Sequence, residues 1–176
     1  EVNPMEAAEV LLYGAFGYEE GIGYTIYYTT NFIFTGLAVA VAFHAGLFNI
    51  GGEGQAYLGG LGAGLVILFL DPTLGAWVFI PASILGALIF GGLWALVPAY
   101  LQAYRGSHIV ITTIMFNFLA ASLMVYLMVH VLRDMGQMTP QSELFPTNSW
   151  MPFVHDVAAG LGYSIEASPL NLSIFL

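Results

Sequence analysis

The chain has 176 residues, of which 59% are hydrophobic and only 7% carry a charge at neutral pH, against about a quarter charged in a soluble domain. With a mean hydropathy of +0.82, this is the composition of a polytopic membrane protein whose first partner is the lipid bilayer. Eleven acids stand against two bases, Arg105 and Arg133, which argues against nucleic acid and anionic headgroups as partners. There is no cysteine, so neither a disulfide framework nor a thiolate metal site can be built.

Residues 1–24 hold five acids and no base and read as an external N-terminal segment, with a short helix over Ala7–Leu12 signalled by Asn3-Pro4. The transmembrane core is expected over residues 25–131, as about four spans or part-spans of roughly 20 residues each. The first span, Thr25 to Phe48, starts beside Tyr24, Tyr27 and Tyr28, aromatic residues of the kind that collect at a membrane boundary. It runs into a glycine-rich hairpin, FHAGLFNIGGEGQ at residues 43–55. A second apolar run, Ala56 to Leu70, is short enough to be tilted or half-crossing. It carries Gly60 and Gly64 at the spacing that packs helices closely.

The third run, Ala76 to Tyr100, has the small residues Ala82, Gly86, Ala87 and Gly91 in its interior. After the polar turn QAYRGSH, the fourth span covers Ile109 to Val131. Residues 132–169 are rich in Pro, Ser and acids and read as an external loop with room for a short helix. Residues 170–176 read as the start of a next span, and the chain as an internal piece of a longer polypeptide. Spans alternate in direction, so placing QAYRGSH inside puts ten of the eleven acids outside. Charge alone orients the chain weakly, because the rule counts bases and weighs Arg105 against Arg133.

The fold class is therefore all-α, a polytopic transmembrane helical bundle interrupted by a glycine-rich discontinuous hairpin. Polar, broken backbone at membrane depth is tolerated only where protein buries it or where it lines a watery cavity. The hairpin contributes Phe48, Asn49, Glu53 and Gln55 as candidate pathway residues. Glu53 fits two roles: hydrogen-bonding the hairpin or a polar solute, or meeting the positive end of the following helix. Asn49 and Gln55 suit an uncharged solute and equally suit tying a broken helix end. On the fourth span Thr113 and Asn117, four apart, share a face. They serve either as a polar strip on the pathway or as interhelical hydrogen bonds. The four histidines have no metal-ligand spacing, and GGLGAGL lacks the Lys-Ser/Thr of a phosphate loop.

Two stretches, GLAVAVAFHAGLFNIGGEGQAYLGG (Gly36 to Gly60) and RGSHIVITTIMFNFLA (Arg105 to Ala120), resemble the paired signatures of an ABC-importer permease family. It is the branched-chain amino acid/ribose permease superfamily, within it the group serving nucleosides and simple sugars. The loop RDMGQMTPQSELFP is similar to that family's external segment. The sequence departs from the family at His44, where a base is usual, at Ile109, where an acid is usual, and around Gln102 and Tyr104, where bases are usual.

The resemblance implies a transport subunit of the bacterial inner (plasma) membrane, not an enzyme. It implies alternating access driven by separate ABC ATPase subunits that hold the ATP and Mg, with no cofactor on this chain. A second permease subunit and a substrate-binding lipoprotein are the other implied partners. The family's ATPase-docking loop falls outside this chain. A secondary transporter for a small polar solute also uses broken helices and stands as the alternative. A membrane-embedded enzyme would need a constellation of catalytic groups, and Glu53 is isolated.

Overall fold

The computed structural model describes residues 3–175. Among them are six α-helices: α1 (Pro4–Phe16), α2 (Glu19–His44), α3 (Gly52–Phe69), α4 (Ala76–Arg105), α5 (Ile109–His130) and α6 (Val154–Gly160). Two 3-10 turns, Thr147–Ser149 and Leu172–Phe175, complete the regular structure, with one isolated antiparallel bridge between Phe153 and Asn171. The fold is all-α, and α2, α4 and α5 are long and apolar enough to cross a membrane. The chain divides into two compact units, Glu1–Gly36 with Met151–Leu176, and Leu37–Trp150.

In the first unit, Asn3 Oδ1 accepts the Met5 N–H at 3.0 Å and Pro4 takes the first helical position, where an N–H has no helical partner to lose. These signals start a helix longer than the expected Ala7–Leu12. Gly21 packs against the Gly14 carbonyl, and Thr25 Oγ1 donates to the Ala15 carbonyl at 2.9 Å, so α1 and α2 meet in a tight corner. Helix α2 begins at Glu19 rather than near Thr25. Its start is met by a polar segment: Glu166 Oε2 accepts the Glu20 N–H at 3.3 Å, and Glu19 Oε2 accepts the Glu166 N–H at 3.4 Å. Carboxylates there complement the helix's positive end. Where a further span is expected to open, residues 172–175 form a 3-10 turn.

The second unit is organised around α3. This helix is 18 residues long, about 27 Å, and is not among the three candidate spans. Yet it holds more of the unit's buried positions than any other helix: Gly54, Leu58, Gly59, Leu61 and Gly62. One side forms a seam with α4 made from absent side chains. A Cβ at Gly86 would lie 2.7 Å from both the Gly62 carbonyl oxygen and Val66 Cγ2, and one at Gly62 would lie 2.7 Å from Phe90 Cβ. Gly91 faces the Gln55 carbonyl in the same way at 3.3 Å. Without side chains the two backbones approach closely, the arrangement favoured where hydrophobicity cannot drive helix association.

The expected packing pair, Gly60 and Gly64, does not form this seam. Gly60 faces open space and Gly64 meets only the Phe145 ring, at 3.4 Å. Glycines stand at 59, 60, 62 and 64, so the helix carries more than one small-residue stripe. The one that packs is fixed by Gly86, Ala87 and Gly91 on the neighbour. The remaining side of α3 buries Leu58 and Leu61 with Ala120 of α5, flanked by Leu65, Trp94 and Met124.

Candidate functional site

Four chain ends of the second unit gather around the hairpin: the last turns of α2 and α4 and the first turns of α3 and α5. Helix α2 ends in a Schellman motif. The Gly46 N–H bonds the Phe43 carbonyl and the Leu47 N–H bonds the Ala42 carbonyl, each at 3.0 Å. Gly46 has φ +76°, a conformation that carries little cost only without a side chain. The chain then runs irregularly to Gly52. Asn49 folds it back, its Oδ1 accepting the Gly51 N–H at 2.8 Å.

The backbone groups freed by this break cannot be left to lipid, and α5 takes them up. Thr113 Oγ1 accepts the Ile50 N–H at 3.3 Å while its own hydroxyl donates to the Ile109 carbonyl at 2.8 Å. Asn117 works in both directions. Its Nδ2 donates to the Ile50 carbonyl and its Oδ1 accepts the Gly54 N–H, each at 2.9 Å. Ile50 thus has both peptide groups tied to α5, and one amide side chain staples the hairpin to the first turn of α3. Thr113 is only 1% exposed, so its hydroxyl is held away from solvent.

Glycine is required here for close approach. A Cβ at Gly51 would lie 2.9 Å from Asn49 Oδ1 and 3.1 Å from Thr113 Cβ. One at Gly54 would lie 3.0 Å from Asn117 Oδ1 and 3.1 Å from Trp94 Nε1. The Trp94 ring leans on Phe116 at 5.3 Å between centroids and closes the back of the site, its Nε1 buried without a hydrogen-bond partner among the described residues. Trp94 escaped the sequence reading because an indole inside an apolar run carries no periodic or motif signal.

The candidate residues thus take different positions. Asn49, Thr113 and Asn117 are brought together around Ile50. Gln55 lies one turn into α3, half-buried. Glu53 is in the first turn of α3, exposed, and makes no side-chain hydrogen bond among the described residues; its charge meets the positive end of α3 without capping an N–H. Phe48 is 54% exposed and touches Phe43 edge-on at 6.1 Å. Among the described residues no cluster of three metal-ligating side chains occurs, and His44 Nδ1 is bonded to the Ala40 carbonyl at 2.8 Å.

Between the hairpin, the end of α4 and the start of α5 lies a cavity of about 450 Å³ whose polar lining is Asn49, Gln55, Gln102 and Thr113. Small residues, Ala95 and Ala99 among them, leave the space. At the far end of α3 the chain turns at Asp71, whose Oδ1 accepts the Thr73 N–H at 2.9 Å and the Thr73 hydroxyl at 2.8 Å. Those two bonds hold its carboxyl below the usual carboxylate range, the backbone bond contributing most. Asn148 of the 132–150 loop donates from Nδ2 to the Pro72 carbonyl at 2.7 Å, and to the Leu74 carbonyl as well, fastening that loop to the turn.

The family model of the branched-chain amino acid transport system permease component matches residues 21–159, a stretch that includes the hairpin and all of α5. Curated relatives agree. The guanosine ABC transporter permease protein of Bacillus subtilis is 41% identical over 121 residues, 69% of this chain and 34% of that protein. The glucose ABC transporter permease protein of Haloferax volcanii is 30% identical over 179 residues, 94% of this chain and 47% of that protein. The nucleoside ABC transporter permease protein of Lactococcus lactis subsp. cremoris is 32% identical over 162 residues, 88% of this chain and 44% of that protein. The chain thus spans less than half the length of these relatives. No solved structure matches it. With three helices long and apolar enough to cross a membrane and a hairpin pinned by α5, the chain belongs to the permease-component family of the branched-chain amino acid transport systems.

Proposed function

We propose that this chain is part of the membrane-spanning subunit of an ATP-driven ABC importer in the plasma membrane, and that its second unit lines the route of an uncharged polar solute. The observation that carries the reading is the family match across the hairpin and α5, the two elements that the hydrogen bonds at Ile50 and Gly54 join. ATP and Mg belong to separate ATPase subunits, and no cofactor is held by this chain. A second permease subunit completes the pathway, and a binding lipoprotein delivers the solute.

A nucleoside or a simple sugar is the solute class supported. Relatives carry the names guanosine, nucleoside and glucose permeases, and the polar groups facing the cavity are neutral amides and a hydroxyl. Phe48, Asn49, Glu53, Gln55, Thr113 and Asn117 are proposed as pathway residues, Thr113 and Asn117 by shaping the hairpin.

The test is uptake of labelled guanosine and glucose by cells producing the full-length protein, with and without its ATPase subunits. Uptake that persists without them would overturn the importer reading in favour of a secondary transporter. Asn49→Ala and Glu53→Ala are expected to lower uptake with the amount of inserted protein unchanged; unaltered uptake returns either residue to a purely structural role.

A further inference from the structure

We infer that the cavity beside the hairpin is a binding site for an uncharged solute presenting adjacent hydrogen-bond donors and acceptors, and that Gln102 is a specificity-determining residue in it; the inference rests on the transport reading above. Three carboxamides line this space, Asn49, Gln55 and Gln102, from three separate segments of the chain. Their hydrogen-bonding capacity is mostly unspent. Asn49 commits Oδ1 to the Gly51 N–H, which leaves its Nδ2 donors over. Gln55 and Gln102 make no side-chain hydrogen bond among the described residues. Gln102 Oε1 is itself shut away from solvent and meets no donor among the described residues, so the group that Gln102 can offer a solute is its Nε2 amide.

The charge balance narrows the ligand. Among the described residues no acid or base lines the cavity. Arg105, in the last turn of α4, is exposed and is not part of the lining. An ionic solute would lose its hydration without gaining a counter-charge, whereas a neutral solute loses little and gains amide partners.

Gln55 offers a donor and an acceptor side by side, and Asn49 and Gln102 add amide donors, a set that matches a paired donor–acceptor edge. Two kinds of solute present one: the ring edge of a nucleobase and the neighbouring hydroxyls of a sugar. At about 450 Å³ the space is within the roughly 300–1,000 Å³ of small-molecule sites. The size depends on small walls: Ala95, Ala99 and Ala103 of α4 face Ala42 of α2.

The experiment uses the full-length permease in its complete transporter, reconstituted in proteoliposomes, with tritiated guanosine and glucose as probes. Gln102→Leu is expected to raise the KM of the transported probe about tenfold, with maximal rate and inserted protein little changed, and Gln102→Asn to fall between. Ala95→Leu narrows the cavity without touching a carboxamide and is expected to raise KM as well. Competition by free guanine identifies a base edge as the feature read, and competition by glucose identifies the hydroxyls. Unchanged KM in Gln102→Leu overturns the role of Gln102, and unchanged KM in Ala95→Leu, or competition by glutamate equal to that of the neutral probes, overturns the site. If Gln102→Leu fails to insert, Gln102→Asn decides for Gln102 and Ala95→Leu for the cavity. Should the wild type show no ATP-driven uptake, the transport reading falls. The site is then judged by equilibrium binding of guanosine and glucose to purified protein, where equal affinity in wild type and Ala95→Leu overturns it.

Discussion

Helix α3 is held by opposite means on its two sides. Against α4 the contact is made by removal: Gly59, Gly62, Gly86 and Gly91 leave the backbones nothing to keep them apart. Against α5, at the hairpin end, it is made by addition, with Thr113 and Asn117 reaching across to backbone groups that have no helical partner. A seam of glycines tolerates no new atom yet specifies no direction of bonding. The polar staple specifies which peptide meets which side chain, and would tolerate modest changes in size. Shape fixes one side and hydrogen-bond chemistry the other.

Substitutions separate the two. Gly62→Val drives a side chain into the Gly86 carbonyl and Phe90. Thermal denaturation of the purified full-length protein should show a loss of at least about 3 kcal/mol, at the upper end of overpacking costs. Gly60→Val, two residues away on a face with open space, should stay within about 0.5 kcal/mol; equal losses at both positions would break the distinction between the stripes.

Asn117→Leu comes next. An interhelical hydrogen bond in a membrane protein averages only about 0.6 kcal/mol, but this change strands both the Ile50 carbonyl and the Gly54 N–H. A cost of about 2 kcal/mol is expected, with faster amide exchange at Gly54. Thr113→Val keeps the shape but loses the acceptor for the Ile50 N–H and the hydroxyl's own bond to the Ile109 carbonyl within α5, so about 1 kcal/mol is expected and exchange should rise at Ile50 but not at Gly54.

The smallest effect lies at the other end of α3. The Asp71 carboxyl is held below its ordinary range by its bonds from Thr73. Its contribution to the turn is therefore fully present above the unfolded carboxylate pKa and is lost as pH falls through the lowered folded value. The Thr73 amide resonance should hold steady through the ordinary carboxylate range and move only in stronger acid. Asp71→Asn should abolish that movement.

Much of this was legible in the residues. The apolar runs gave α2, α4 and α5, because lipid imposes length and apolarity on a spanning helix. That Thr113 and Asn117 share a polar face suited to interhelical hydrogen bonds was legible too, since polar groups at membrane depth must find one another. Helix starts were less so. Helix α2 begins at Glu19 because carboxylates from its own first turn and from Glu166 stabilise its end, and the second of these lies far away in sequence. The choice between Gly59/Gly62 and Gly60/Gly64 was beyond local reading, because it depends on which residues α4 presents. Gln102 reads as part of a polar turn, and only its place in the last turns of α4, beside Asn49 and Gln55, brings it to the cavity.

The double commitment of Ile50 has a mechanical side. Its N–H and its carbonyl are both fastened to α5, so a tilt of α5 cannot leave the hairpin behind without breaking bonds that lipid will not replace. Gly46, just upstream, has open space around it and a backbone conformation outside the helical range. The hairpin is therefore held in register with α5, and Gly46 is the point at which the chain leaves the helical conformation of α2.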